Sequence, residues 1–189
     1  GGNRAAVEAG GRTTGYRHDA ADRLLEAGGE QLTYDANGNV IARQVPGGTT
    51  VYTYDAADRL VQVRAPDGSE TAFGYAPTGE RISKRDKDGL RYYLYSGLDL
   101  IQELGETGTS TATYIHGPGV DRPLAMVRDG RYYFYHTDRL GSVSLVSDEH
   151  GQTAAAYEYD AFGKFSTAPP SVPNPFTFTG RELDASTGL

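Results

Sequence analysis

Polar and apolar residues alternate along most of the chain, in short segments separated by glycine-containing turns. In residues 69–75, for example, Thr71, Phe73 and Tyr75 fall on one face of an extended strand and smaller residues fall on the other. Residues 91–95 repeat this arrangement with tyrosines. A period of two is typical of a half-buried β-strand. Because the intervening turns are too short for a parallel crossover, the pattern predicts antiparallel strands.

The alternating segments also repeat in sequence. His18-Asp-Ala-Ala-Asp-Arg-Leu24 and Tyr54-Asp-Ala-Ala-Asp-Arg-Leu60 agree at six of seven positions. Weaker copies begin at a Tyr or His that we call the anchor, and successive anchors are 16 to 23 residues apart. The predicted anchors are His18, Tyr34, Tyr54, Tyr75, Tyr95, His116, His136 and Tyr159. This spacing indicates an internal repeat of about 20 residues.

Each repeat contains two predicted turns. One follows the anchor, and the other is marked by a glycine about 14 residues later, within an Asp-Gly pair in three repeats. These pairs are Asp67-Gly68, Asp88-Gly89 and Asp129-Gly130. Asp-Gly is a strong hairpin signal because both residues tolerate the positive φ of a type I′ turn. About 20 residues accommodate two strands and two turns, so the chain is predicted to be a ribbon of consecutive hairpins.

The anchor and the residue that follows it indicate how the first turn is held. We expect the anchor ring to pack along the sheet, with its polar tip in water or bonded to a neighbouring turn. An Asp after the anchor accepts hydrogen bonds from backbone N–H groups two residues further on. The same bonds are expected in each repeat.

The composition favours an all-β fold and excludes several functions. The 189 residues include 25 Gly, 9 Pro and 14 Tyr, a mixture typical of sheet rather than helix. No apolar stretch is long enough for a membrane-spanning helix, and the absence of cysteine removes disulfides and thiolate sites. The net charge of -7 argues against a nucleic-acid partner. The chain begins Gly1-Gly2 with neither Met nor a signal-peptide pattern, so it is expected to be part of a longer protein.

The repeats resemble the YD repeats of the Rhs, insecticidal Tc-toxin and teneurin proteins, which have the form Tyr-Asp-x-x-Gly-Arg-Leu. Three later segments resemble the Rhs-repeat-associated core in order and spacing. They are His136-Thr-Asp-Arg-Leu-Gly-Ser-Val143, Tyr157-Glu-Tyr-Asp-Ala-Phe-Gly163, and Phe178-Thr-Gly-Arg-Glu182 with Asp184 and Thr187-Gly-Leu189. The resemblance covers residues 16 to 189. It implies a β-strip that forms part of a spiralling hollow shell, which in complete members encloses a C-terminal toxin.

One departure from the family pattern bears on catalysis. Members of the family continue beyond Thr-Gly-Leu into a segment with Asp-Pro motifs, whose aspartates release the toxin by self-cleavage. This sequence contains no Asp-Pro pair. The resemblance therefore implies no self-cleavage by this chain, and we expect no catalytic residue.

The four histidines raise the question of a metal or acid–base site. His18, His116 and His136 fall on predicted anchors, and His150 falls in a turn, so a structural role is expected for them. We expect no metal and no cofactor.

Three other groups of polar residues have simpler interpretations than a site. Asp35-x-Asn37-x-Asn39 resembles the start of a calcium loop but lacks its later ligands, so it is interpreted as a turn. The carboxylate pairs are repeated turn residues rather than a glycosidase dyad. The basic cluster, interleaved with acids, is interpreted as a solvated hairpin end. The carboxylate pairs are Asp19 with Asp22 and Asp55 with Asp58, and the cluster comprises Arg81, Lys84, Arg85, Asp86, Lys87 and Asp88.

The repeats divide the chain into three expected regions. Residues 1–15 are an irregular lead-in, residues 16–166 are the YD-repeat β-strip, and residues 167–189 are a proline-rich segment with the start of the core domain. Proline cannot donate a ladder hydrogen bond, so the chain is expected to leave the strip near residue 167. A strand is expected to resume at Phe176-Thr-Phe-Thr179.

The expected function is a non-catalytic structural part of a secreted or cell-surface protein of the polymorphic-toxin type. Expected partners are the rest of its own shell or further copies of the chain, joined through unpaired sheet edges. A toxin cargo is expected only in a full-length parent. An alternative is an adhesion module whose exposed tyrosine rows contact surface glycans, and a third is a fragment of a self-cleaving protease without its active half.

Overall fold

The computed structural model describes residues 5–9, 11–160, 162–166 and 170–189. The chain divides into two compact units, Gly1–Phe73 (unit 1) and Gly74–Leu189 (unit 2). In both units the strands are antiparallel and each pairs with its neighbour in the chain. The predicted all-β ribbon of hairpins is therefore confirmed.

The described residues of unit 1 form seven strands and the first part of an eighth. The strands are short because each repeat must also supply two turns. The strands are β1 (Ala6–Ala9), β2 (Arg12–His18), β3 (Leu24–Ala27), β4 (Glu30–Tyr34), β5 (Val40–Val45), β6 (Gly48–Tyr54), β7 (Leu60–Arg64) and β8 (Glu70–Tyr75), of which β8 enters unit 2 after Phe73.

Unit 2 continues the same arrangement and ends in a segment with little regular structure. A two-stranded sheet and a short 3-10 helix over Phe178–Gly180 follow the main strands. The strands are β9 (Arg81–Asp86), β10 (Gly89–Ser96), β11 (Asp99–Gly105), β12 (Ser110–His116), β13 (Pro123–Arg128), β14 (Arg131–Thr137), β15 (Val143–Asp148), β16 (Thr153–Ala156), β17 (Glu158–Tyr159) and β18 (Phe165–Ser166).

A β-bulge follows the anchor turn in repeat after repeat. In β6 and β7, Thr53 lies opposite Gln62 and Tyr54 lies opposite Leu60, so Val61 is the extra residue. The corresponding extra residue recurs at Leu25, Ile41, Ile101, Leu124 and Ser144. The bulge keeps the anchor side chain on one face of the sheet and ends the pairing at the turn.

This pairing corrects the predicted anchor at His136. His136 lies opposite Leu145 and Thr137 lies opposite Val143, with the bulge between them. Thr137 therefore occupies the anchor position, directly before Asp138, and His136 is exposed on the other face. The predicted anchor was wrong because it was chosen for its aromatic ring, whereas the aspartate that follows the anchor, here Asp138, determines where the turn lies.

The second turns differ among the three Asp-Gly pairs. Asp129 and Gly130 both have positive φ, 52° and 74°, as a type I′ turn requires. In the other two pairs only Gly68 and Gly89 have positive φ. Asp67-Gly68 lies in a longer loop between Arg64 and Glu70, in which Ser69 N donates to Asp67 Oδ1. In the β9–β10 hairpin the loop is Lys87-Asp88, so Gly89 already pairs with Asp86, and Asp88 N donates to Asp86 Oδ1.

Two terminal predictions differ from the structure. The described part of residues 1–15 contains β1 paired with β2, with Val7 opposite Thr14, where an irregular lead-in was expected. The strand expected over Phe176–Thr179 is absent. Phe176 instead forms an isolated bridge to Glu182, and Thr179 has φ +53° inside the 3-10 helix. The boundary at residue 167 lies in residues that are not described, so the three-region division stays a prediction.

The main core lies in unit 2, on the sheet face that carries the anchors. We call this the anchor face, defined by Tyr93, Tyr95, Tyr114 and Tyr135. Residues 170–189, the C-terminal segment, lie across it and contribute Val172 and Phe176, which are 3% and 4% exposed. The other buried core residues are Leu100, Ala112, Met126, Val143, Val146, Ala154, Ala155 and Tyr157.

In the described residues of the chain, no helix is long and apolar enough to cross a membrane.

Candidate functional site

The anchor turns share one hydrogen-bond pattern. The Asp after the anchor accepts, through Oδ1, the backbone N–H groups two and four residues further on, at 2.8–3.0 Å. The residues are Asp19, Asp35, Asp55, Asp138 and Asp160. Hydrogen bonds from the residue four positions on lower the pKa of Asp19, Asp35 and Asp55. The predicted Asx-type turn is therefore confirmed at these five turns, where the carboxylates hold the backbone. The expectation of the same bonds in every repeat is wrong for Tyr75, Tyr95 and His116, which no aspartate follows.

The tip of the anchor side chain often bonds to the preceding repeat. Tyr34 donates its hydroxyl to Leu24 O at 2.7 Å, and Tyr159 donates to Val143 O at 2.7 Å. In each case the acceptor lies at the start of the strand that follows the previous anchor turn. His116 forms the equivalent bond, with Nε2 at 2.8 Å from Leu100 O.

His116 is the only histidine among the described side chains with a buried nitrogen that has no hydrogen-bond partner. Since a carbonyl oxygen only accepts, Nε2 carries the proton, and in the neutral ring Nδ1 is an acceptor. Nδ1 has no hydrogen bond, and Asp99 Oδ1 is 3.8 Å away. The ring also packs edge-on against Phe176, at 5.3 Å between centroids. A role in packing therefore accounts for this anchor.

A buried ionic cluster joins β9 to the C-terminal segment. Lys84 Nζ lies 2.7 Å from Asp184 Oδ2 and 3.1 Å from Asp86 Oδ2, and all three side chains are 4–6% exposed. Arg81 donates to Glu182 Oε2 at 2.9 Å and contacts Asp184 Oδ2 at 3.3 Å. The expectation of a solvated hairpin end is therefore wrong for Arg81, Lys84 and Asp86. It holds for Arg85 and Lys87, whose side chains are largely exposed.

Burial and pairing act differently on the two acids of the C-terminal segment. For Glu182, burial outweighs the charge of Arg81 and the hydroxyl of Tyr95, so its pKa is raised. For Asp184, burial also acts to raise the pKa, but hydrogen bonds from Lys84 and Ser186 and the nearby cations outweigh it, so the pKa is lowered. Burial raises the pKa of Tyr93 to about 12.

A second polar cluster lies on the same face. Tyr114 donates to Glu103 Oε1, and Arg128 Nη2 lies 3.0 Å from both Glu103 Oε2 and the Tyr114 hydroxyl. Burial raises the pKa of Tyr114, so its hydroxyl stays protonated and donates. Between the two clusters and the C-terminal segment there is an open cleft of about 550 Å³, with Pro173 and Pro175 on one wall.

The residues that could have formed a metal or catalytic site do not come together. Within the described ranges, no three His, Cys, Asp or Glu side chains are placed to hold a metal ion. Asn37 and Asn39 donate their amides to Asp58 Oδ1, each at 2.8 Å, and Asn39 also donates to Asp35. Asp22 and Asp58 have positive φ in their turns. These residues connect adjacent turns, and the absence of a cofactor or metal stays a prediction.

Repeated antiparallel hairpins, with recurring bulges and with anchor turns that an aspartate closes at five places, define a YD-repeat β-strip. The sequence profile of the teneurin YD-shell family matches residues 1–189. The chain belongs to this family, and the resemblance to YD-repeat proteins is confirmed.

Curated relatives are much longer than this chain. The tRNA3(Ser)-specific nuclease WapA of Bacillus spizizenii is 30% identical over all of this chain and 8% of its own length. The double-stranded DNA deaminase toxin A of Burkholderia cenocepacia is 32% identical over 64% of this chain and 11% of its own length. The chain thus spans about a tenth of the length of these relatives.

Solved structures share the fold. The Tc holotoxin pore of Photorhabdus luminescens matches 93% of this chain and 13% of its own chain, with a TM-score of 0.54 and 14% identity. At this identity the likeness shows the architecture alone.

Proposed function

We propose that this chain is a non-catalytic segment of a shell that encloses a toxin carried by the same polypeptide. The family assignment establishes the shell segment, and the toxin-bearing relatives support the cargo. Two of these relatives are described as a nuclease and a deaminase toxin, so the cargo class we propose is an enzyme active on nucleic acid. The chain itself would not touch that substrate, in keeping with its net charge of -7.

The observation that carries this proposal is the position of the C-terminal segment. The described residues from 170 onward cross the anchor face, and Ser171 donates both its N–H and its hydroxyl to Ala154 O. Phe176 then packs edge-on against Tyr114 and Tyr135. Glu182 and Asp184 finally reach the cations of β9. The anchor face thus receives polypeptide that follows the strip in sequence, as a shell with an internal cargo requires.

Protease protection of the complete gene product tests the enclosed cargo. The polypeptide that follows Leu189 in the complete gene product should resist a broad-specificity protease while the shell is folded. It should become sensitive when Lys84→Ala and Phe176→Ala loosen the C-terminal segment. The matched control is Arg64→Ala with Phe162→Ala, at exposed positions. Equal sensitivity in wild type and loosened variant would contradict enclosure.

The absence of catalysis in this chain is tested separately. Incubation of the purified chain at several pH values should leave one intact mass. A discrete fragment whose formation depends on an aspartate such as Asp184 would show self-cleavage and contradict the proposal. We also propose that the parent protein acts at the cell surface or after secretion, which fractionation of the producing cells would test.

A further inference from the structure

Unit 2 has a second surface, on the side of the sheet opposite the anchor face, which we call the opposite face. Its large apolar side chains are 36–52% exposed. They extend over five consecutive strands, from β10 to β14. The residues are Tyr92, Leu94, Ile101, Ile115, Leu124, Tyr132 and Phe134.

The strand register makes these residues one continuous patch. Ile115 lies opposite Ala125, and Ala125 lies opposite Phe134. A neighbouring row runs Leu94, Gln102, Thr113, Val127 and Tyr132. Residues directly opposite each other on paired strands share a face, so the two rows adjoin. In these strands the register places one formally charged residue on this face, Asp99, which lies opposite Ser96 at the end of the β10–β11 hairpin and whose carboxylate is 3.8 Å from His116 Nδ1.

In unit 1 the face opposite the anchors is more polar, although the repeat is the same. There the row runs Thr33, Ala42, Val51, Arg64 and Glu70, and it includes an exposed Arg64–Glu70 ion pair at 2.6 Å. Thus Thr53, which precedes the anchor Tyr54, corresponds to Ile115, which precedes the anchor His116. The repeat does not require apolar residues on this face, so their presence in unit 2 needs another cause.

We propose that the opposite face of unit 2 is a self-association surface that packs against the same face of a second copy of this chain. Seven large side chains, each about two-fifths to one-half exposed, leave roughly 500 Å² of apolar surface. A standard interface takes about 800 Å² from each partner, a little over half of it apolar. The apolar surface of the patch is therefore about as large as the apolar part of one partner's side of a standard interface.

Shape favours a second copy as the occupant, and the charge on this face opposes it little. Two chains that each carry a net charge of -7 repel one another, and in β10–β14 this face adds only Asp99, at the end of a hairpin, to that repulsion. Twisted sheets pack face to face at about 10 Å, in an aligned arrangement that follows from their shared twist. A second copy has the same twist and a self-complementary apolar surface, as a twofold interface requires.

Light scattering after size-exclusion chromatography tests the proposal on the purified chain. Across roughly 1–200 µM, the range in which an interface of this size can associate, the mass should rise from 20.3 kDa to twice that value. The variant Ile115→Lys with Phe134→Lys should raise the dimer Kd about 100-fold, since the twofold brings like charges together. The matched control is Thr53→Lys with Val51→Lys at the equivalent positions of unit 1, and it should leave the Kd unchanged.

Site-specific cross-linking shows which surface meets the second copy. The chain contains no cysteine, so single Ile115→Cys and Thr53→Cys variants each carry one thiol. A bis-maleimide with a spacer of about 10 Å, matching the distance between packed sheets, should yield covalent dimers with Ile115→Cys alone.

Three results would overturn the proposal. One is a monomer at every concentration. Another is a dimer that survives Ile115→Lys with Phe134→Lys but is lost in Val7→Pro, which would assign association to the β1 edge. The third is a monomer whose binding to a glycan array depends on Tyr92 and Tyr132, which would make this face a carbohydrate surface.

Discussion

Units 1 and 2 are built from the same repeat but are stabilised differently. In unit 1 the buried side chains are few, with Tyr52, Val63, Thr71 and Phe73 at or below 9% exposure. In unit 2 the C-terminal segment adds a second layer over the anchor face, together with a larger core and a buried ionic cluster. A hydrophobic face needs a covering layer to form a core. The repeat therefore specifies the hairpins, and residues outside the repeat determine how much of the sheet is covered.

Replacement of the buried Lys84 should give the largest difference between the two units in loss of stability. Lys84→Ala leaves Asp86 and Asp184 buried without their shared partner, and breaking a buried ion pair typically costs about 3–5 kcal/mol. Urea unfolding followed by hydrogen exchange should show this loss in peptides of unit 2 only. Arg64→Ala, which removes an exposed pair in unit 1, should cost under about 1 kcal/mol. Equal losses would show that Lys84 is solvated in solution.

Truncation of Phe176 should destabilise unit 2 slightly less than Lys84→Ala does. Phe176 is 4% exposed and packs edge-on against Tyr114, His116 and Tyr135. Phe176→Ala should destabilise unit 2 by about 3 kcal/mol, from lost burial and the cavity left behind. Phe162→Ala is the control because Phe162 is 74% exposed. If both changes have the same effect on the unfolding midpoint, the C-terminal segment does not cover the core.

Low pH should reduce the contribution of the Lys84–Asp184 ion pair to the free energy of unfolding. The folded-state pKa of Asp184 is lowered, so its contribution is present above the ordinary value of 3.8 and is lost as the pH falls through the lowered value. Glu182 acts in the opposite sense, because a raised pKa makes its contribution decline as the pH rises through that value. The stability difference between wild type and Asp184→Asn should therefore shrink below about pH 3.8. A difference that is constant with pH would contradict the role of the Asp184 carboxylate.

Loss of the turn aspartate should lower the unfolding midpoint of either unit by a similar amount. Asp55→Ala and Asp138→Ala each remove an acceptor of two backbone N–H groups. Both should lower the unfolding midpoint of their own unit, by less than Lys84→Ala does, because the freed N–H groups can bond to water. Asp55→Asn and Asp138→Asn keep the acceptor and should restore most of the loss. A large loss in one unit alone would show that the turns are not equivalent.

The bond from the anchor to the preceding repeat should give the smallest effect. Tyr34→Phe removes the hydrogen bond to Leu24 O while keeping the ring, and should cost about 1 kcal/mol in unit 1. Tyr159→Phe removes the equivalent bond in unit 2 and should cost the same. Tyr132→Phe, on the opposite face, serves as the control and should leave the unfolding midpoint unchanged.

The features that could be predicted from sequence are those set by neighbouring residues. Period-two alternation identifies strands, and an Asp after the anchor identifies a turn, because both depend on contacts within a few residues. Thr137 was missed since it lacks a ring, yet Asp138 follows it at the expected place, so aligning the repeats on the aspartate would have found it. Lys84 was misinterpreted because its partner Asp184 is distant in sequence. The C-terminal segment has no repeat, so its position depends on contacts that local patterns do not encode.

The distance in sequence between Lys84 and Asp184 has a consequence for the order of folding during synthesis. Each hairpin pairs with its immediate neighbour, so strands can form as soon as they leave the ribosome, through contacts of low sequence separation. The Lys84–Asp184 ion pair between β9 and the C-terminal segment cannot form until residue 184 has been made. Until then Lys84 and the anchor face are hydrated and accessible. The residues around Asp184 therefore determine when this part of the anchor face is covered, and any polypeptide made after them meets an anchor face that already carries the C-terminal segment.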